Sequence, residues 1–66
     1  MNVVVNGEAV EIDHGTCVDA LVDARVESPK GIAVAVNAEV VPRSTWSSHL
    51  LADGDRVELL TAAQGG

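Results

Sequence analysis

The 66-residue chain ends in Gly65-Gly66, directly behind a segment that reads as its last β-strand. Glycine has no Cβ, so such a pair can extend, adopt positive φ and pass through a channel too narrow for any other residue. A free carboxylate on a tail of that kind can be delivered into another protein's active site. Taken alone, the tail equally suits a frayed terminus or a scar from a cloning linker.

Few other residues point to chemistry. His14 and His49 lie far apart, and neither has a Cys or His at metal-ligand spacing, so no metal site is expected. Cys17 is the single cysteine, which rules out an internal disulfide and suits a reducing cytosol. Helix N-termini favour thiolates, so a cysteine at the start of a helix can hold a persulfide. The favoured reading of Cys17 is a small buried hydrophobe.

Ten acidic residues against four basic ones leave a net charge of −6. That balance argues against nucleic acid and anionic membrane as partners, since it offers no neutralisation of phosphates. It favours a basic docking surface on a partner protein, although solubility alone also accounts for it. Asp19, Asp23 and Glu27 recur at helical spacing and read as a solvated face. The apolar runs are too short to span a bilayer and no basic leader opens the chain, so a soluble, cytoplasmic protein is expected.

The elements that must position the tail follow from turn residues and periodicity. Residues 1–6 are rich in valine and read as a strand. Asn6-Gly7 is a hairpin signal, and Glu8 to Asp13 alternates with Val10 and Ile12 on one face. Thr16 reads as a helix N-cap, with Asp19 in the first turn and Val18, Leu21 and Val22 forming the apolar stripe. That helix ends near Ala24 to Val26, and residues 28–31 form a loop. Ile32 to Val36 alternates as a strand, and Glu39 to Val41 is a short strand stopped by Pro42, which suits a sheet edge. Ser44 to Ser48 predicts an irregular helical turn around Trp46, the only aromatic residue. Trp46 reads as a satellite of the core rather than an interface anchor. Arg43 is open to either solvent or a partner. Asp53-Gly54-Asp55 is a turn, and Arg56 to Thr61 is the last strand.

One helix cannot cover both faces of a sheet, so the expected fold is α+β: one mixed sheet of four to five strands, with one face on the helix and one open. The inward set is Val3, Val5, Val10, Ile12, Val18, Leu21, Val22, Ile32, Val34, Val36, Val57 and Leu59. Parity then turns Val4, Ala33, Ala35 and Leu60 outward. If the first, third and last strands are neighbours, these four form a modest apolar patch rimmed by charge. That patch is a candidate docking surface or an ordinary scatter of surface apolar residues.

The order of hairpin, helix, strands and Gly-Gly tail resembles the sulfur carrier proteins of the ubiquitin-like β-grasp fold, most closely the thiamine-biosynthesis sulfur carrier family (ThiS). The resemblance is carried by Val5-Asn6-Gly7-Glu8, by Thr16 to Leu21, and by Ala35-Val36-Asn37 with Val40-Val41-Pro42-Arg43, Trp46 and His49. Its most specific part is Asp53-Gly54-Asp55-Arg56-Val57-Glu58-Leu59-Leu60 closing on Gln64-Gly65-Gly66. It covers nearly the whole chain; residues 25–31 and the Ala62-Ala63 pair look idiosyncratic.

The resemblance implies a β-grasp domain over residues 1–61 and a flexible tail over 62–66. It implies a carrier and not an enzyme, with no bound cofactor. A ubiquitin-activating-like enzyme would use ATP to adenylate Gly66, with Gly65 and Gln64 recognised as part of the tail. Sulfur from cysteine, passed through a desulfurase persulfide or another donor, would displace AMP to leave a C-terminal thiocarboxylate. That group would give its sulfur to thiazole synthase. The isolated protein is expected to be a monomer.

Rival readings compete with it. One is a carrier for molybdopterin synthesis, a family usually longer and richer in phenylalanine; another is a carrier for cysteine synthesis. A plain β-grasp binding module with an inert tail, and a protein modifier joined through Gly66 to lysines, complete the set.

Overall fold

The computed structural model describes residues 1–28 and 30–61. In chain order its elements are β1 (Asn2–Val5), β2 (Glu8–Glu11), α1 (Val18–Arg25), β3 (Ile32–Val36), β4 (Glu39–Val40), a 3₁₀ helix (Arg43–Ser48) and β5 (Arg56–Thr61). The strands make one mixed sheet in the order β2-β1-β5-β3-β4. Only the β1–β5 pair is parallel; β1–β2, β3–β4 and β3–β5 are antiparallel. The first, third and last expected strands are therefore the three central ones.

The hairpins obey local chemistry. Asn6 and Gly7 both take positive φ, 49° and 83°, the pairing that a two-residue turn between right-twisted strands requires. The β3–β4 turn repeats the pattern with Asn37 at 52° and Ala38 at 71°. An L-residue with a Cβ is strained there, and Ala38 lacks the side-chain polar group that lets asparagine compensate.

The core lies between the sheet and the layer formed by α1 and the 3₁₀ helix. The sheet contributes Val3, Val5, Val34, Val36 and Val57; α1 contributes Val18, Leu21 and Val22. Val41, Trp46 and Leu51 complete it from the segment that crosses between β4 and β5. Trp46 is thus a central core residue and not a satellite, with 2% of its surface exposed. Its one polar atom is satisfied: Nε1 donates to the Val41 carbonyl at 2.8 Å. The Arg43 guanidinium lies 5.7 Å from the ring centroid, within cation–π range.

Four residues of the expected inward set, Val10, Ile12, Ile32 and Leu59, are only half-buried. α1 has eight residues, hence a length of about 12 Å, too short to roof the edge strand β2 and the far ends of β3 and β5. The helix also begins later than expected. Thr16 does not cap it, because its hydroxyl donates to the Asp13 carbonyl at 2.7 Å and closes a local turn. Cys17 holds the N-cap position without a side-chain cap bond. The Val18 N–H is satisfied instead by the His49 carbonyl (2.9 Å), and the Leu51 N–H donates to the Thr16 carbonyl (2.9 Å). The helix start is therefore capped by tertiary structure. α1 ends at Arg25, so Glu27 lies beyond it and only Asp19 and Asp23 share its exposed face.

Candidate functional site

Two features bear on the tail: the end of β5 and the open face of the sheet. Gln64, Gly65 and Gly66 lie outside the described residues, so the site is read from the strand that leads to them.

β5 is the middle strand of the sheet, and its start is locked by side chains. The Asn37 N–H donates to the Arg56 carbonyl (2.7 Å), and Asn37 Oδ1 accepts the Arg56 N–H (3.0 Å). Asn37 Nδ2 donates to Asp55 Oδ1 (3.0 Å), while Asp55 Oδ2 accepts the Ala52 N–H (2.8 Å). The Asp53–Gly54 turn is tied to β1 by the Asn2 N–H on Asp53 Oδ1 (2.8 Å) and the Gly54 N–H on the Asn2 carbonyl (2.7 Å). Gly54 sits at φ 87°, where a side chain would be strained.

The far end of β5 is held from both sides. On one side β3 pairs Val34 with Leu59, Ala33 with Leu60 and Ile32 with Thr61. On the other side β1 has already turned away at Asn6. The Asn6 side chain takes over: Oδ1 accepts the Leu59 N–H at 2.9 Å, and Nδ2 donates to the Leu59 carbonyl at 3.2 Å.

The open face carries the four residues expected there, but not as one continuous patch. Val4 lies beside Arg56 in register. Ala35 is flanked by Glu58 on β5 and by Val40 on β4. Arg56 and Glu58 therefore separate Val4 from the rest. The larger apolar group is Leu60, Ala33, Ala35 and Val40, with Leu60 61% exposed and Val40 78% exposed. Val40 escapes sequence reasoning because alternation cannot say which of Val40 and Val41 points inward. The β3–β4 register decides it: Val40 faces out beside Ala35, and Val41 is buried. Shallow hollows flank Arg56 and Glu58, one reaching Val4 and Gly7 and the other Asn37 and Ala38.

The remaining candidates sit away from this face. Cys17 is half-buried and bridged to Leu50. His14 is exposed in the turn before α1, and His49 is half-buried after the 3₁₀ helix. Among the described residues, no three His, Cys, Asp or Glu side chains converge as metal ligands. No helix among them is long and apolar enough to cross a membrane.

The ThiS family model matches residues 3–66. Over all 66 residues and the full length of both chains, the sequence is 32% identical to a protein of Escherichia coli (strain K12) named sulfur carrier protein ThiS. It is also 32% identical over its whole length to part of a protein of Paramagnetospirillum magneticum named thiazole synthase, of which it spans 20%. The crystal structure of a thiamine biosynthesis protein (ThiS) from Geobacter metallireducens superposes with a TM-score of 0.86 at 33% identity, covering all of both chains. The solution structure of a thiamine biosynthesis protein from the same organism gives 0.79 at 33% identity, covering this chain fully and 88% of the other.

Proposed function

The chain belongs to the ThiS family and is a sulfur carrier of thiamine biosynthesis, and from that premise we propose that the carboxylate of Gly66 is the atom group that bears the sulfur. The observation that carries the reading is the course of β5. A central strand, pinned at its start by Asn37 and Asp55 and near its end by Asn6 and β3, immediately precedes in sequence the five residues closing on Gly65-Gly66. The folded body supplies a rigid handle and the glycines supply a thin, extensible reach.

The chemistry requires activation, because a carboxylate is a poor electrophile. A carboxylate oxygen of Gly66 attacks the α-phosphorus of ATP on a partner adenylating enzyme, pyrophosphate leaves, and a mixed anhydride with AMP forms. The terminal sulfur of a donor persulfide then attacks the Gly66 carbonyl carbon and AMP departs. The resulting acyl disulfide is cleaved by a second thiol, which supplies two electrons and leaves the thiocarboxylate. This group is anionic and nucleophilic at neutral pH, by the logic that makes a thiolate reactive. On this reading the chain is substrate and carrier for its partners and catalyses nothing itself. A reducing cytoplasm is the compartment this reading proposes, since it holds both ATP and persulfide donors.

The acceptor proposed is a thiazole synthase. Its support is the Paramagnetospirillum magneticum protein of that name, one-fifth of which is similar to this entire chain. Holding carrier-like and synthase sequence in one polypeptide raises the effective concentration of one for the other.

The test is intact mass after incubation with an adenylating enzyme, ATP and a persulfide source. A gain equal to one oxygen replaced by sulfur, absent when Gly65 and Gly66 are deleted, is expected. No gain with an enzyme competent on another carrier removes the proposal, and an adduct on target lysines would make the chain a modifier instead.

A further inference from the structure

We propose that Asn6 is a positioning residue for the terminus: its side chain acts as a surrogate peptide group that holds Leu59 where β1 has left the sheet, and so fixes the end of β5 from which the terminus is presented. The inference rests on the carrier reading and deepens it, since it concerns how the reactive terminus is presented.

The parallel ladder between β1 and β5 shows why a surrogate is needed. The Val4 N–H donates to the Asp55 carbonyl and the Asn6 N–H to the Val57 carbonyl, both at 2.9 Å. The next step of this ladder falls on Leu59, but β1 has no residue left to provide it. At Asn6 and Gly7 the backbone swings into positive φ and departs toward β2. The Asn6 carboxamide presents one acceptor and one donor in the plane of a peptide group, and it engages both polar groups of Leu59 (2.9 and 3.2 Å). Neighbouring residues of a strand send their N–H and C=O groups to opposite sides. Leu59 is therefore the last described β5 residue whose groups on β1's side are met, and beyond it β3 bonds Leu60 opposite Ala33 and lies in register with Thr61 through Ile32.

Consequences for tail delivery follow from chain entropy. With Leu59 anchored, seven residues separate the anchor from the terminus, a reach of about 24 Å when extended. Without the clamp, the end of β5 frays. Those residues must then be re-ordered each time the carrier docks, which weakens binding without altering the geometry of the bound state. The cost appears in KM and not in kcat.

The choice of variant matters because Asn6 sits at φ 49°. Alanine there would strain the turn and confuse the result, whereas Asn6→Gly keeps the turn relaxed and removes only the carboxamide. Asn6→Asp keeps the acceptor for the Leu59 N–H and loses the donor to its carbonyl.

The experiment has two arms, both on the full chain at a temperature well below unfolding. Amide hydrogen exchange should show Asn6→Gly losing protection at Leu59 and Leu60 while Val3 and Val57 stay protected. Adenylation kinetics should show KM for the carrier rising about three- to tenfold with kcat unchanged, as expected for two exposed hydrogen bonds. Asn6→Asp should fall between Asn6→Gly and the parent. Unaltered exchange at Leu59, or an unaltered KM in Asn6→Gly, overturns the assignment while the carrier reading stands. A parent chain that gains no sulfur from a competent enzyme overturns both.

Discussion

The Trp46 indole N–H donates to the Val41 carbonyl across a 2.8 Å bond inside the core, joining the 3₁₀ helix to the segment that leaves β4. This bond lets a residue with a polar atom occupy the centre of a core otherwise made of valine and leucine. Trp46→Phe strands the Val41 carbonyl and opens a gap, at an expected cost of about 1–3 kcal/mol. Trp46→Ala should cost about 3–5 kcal/mol, most of the stability such a small domain has. Urea unfolding followed by far-UV circular dichroism measures both. A loss below about 0.5 kcal/mol for Trp46→Phe would show that the bond contributes nothing.

Ala38 marks the opposite case, a position where the natural residue is unfavourable. At φ 71° its Cβ crowds the following carbonyl, and glycine is the residue that relieves this. Ala38→Gly is expected to stabilise the protein by about 0.5–1 kcal/mol after the entropy cost of glycine in the unfolded chain. For a domain of this size that is a rise in Tm of a few degrees, about 4–8 °C per kcal/mol. A lower Tm in calorimetry would contradict the strain.

Leu60 is the exposed apolar residue nearest the tail on the open face, paired in register with Ala33 and 61% accessible. Leu60→Asp should leave stability within about 0.5 kcal/mol, since the side chain contributes little to the core. Affinity for the adenylating enzyme should fall about tenfold, the loss of a modest hot spot. Isothermal titration with the non-hydrolysable ATP-bound enzyme reads this directly, and equal affinities would take the open face out of the docking surface.

Elements with strong local signals were legible in the chain. The alternation of Ile32 to Val36 and of Arg56 to Thr61 defines β3 and β5 with the same bounds that the structure shows. Asn6-Gly7 announces its hairpin, and the turn around Trp46 is present as a 3₁₀ helix. The relationships that matter most for the site were not legible. Nothing local in Asn6 says that its side chain will grip Leu59, 53 residues away. Nothing local in Thr16 says that Asp13 will claim its hydroxyl and that His49 will satisfy the helix start in its place.

Valine alternation, turn glycines and asparagines, and the Gly-Gly terminus determined by themselves the element order, the α+β class and the resemblance to a sulfur carrier. These are short-range properties, because backbone sterics and side-chain period act over a few residues. Tertiary structure alone decided that β5 runs parallel to β1 at the centre of the sheet. It also decided that Val40 faces out while Val41 is buried, that Trp46 fills the core, and that the side chain of a turn asparagine grips Leu59. Each of these depends on strand register across long sequence separations. Register is chosen by the collective burial of the valine faces, which no single segment encodes.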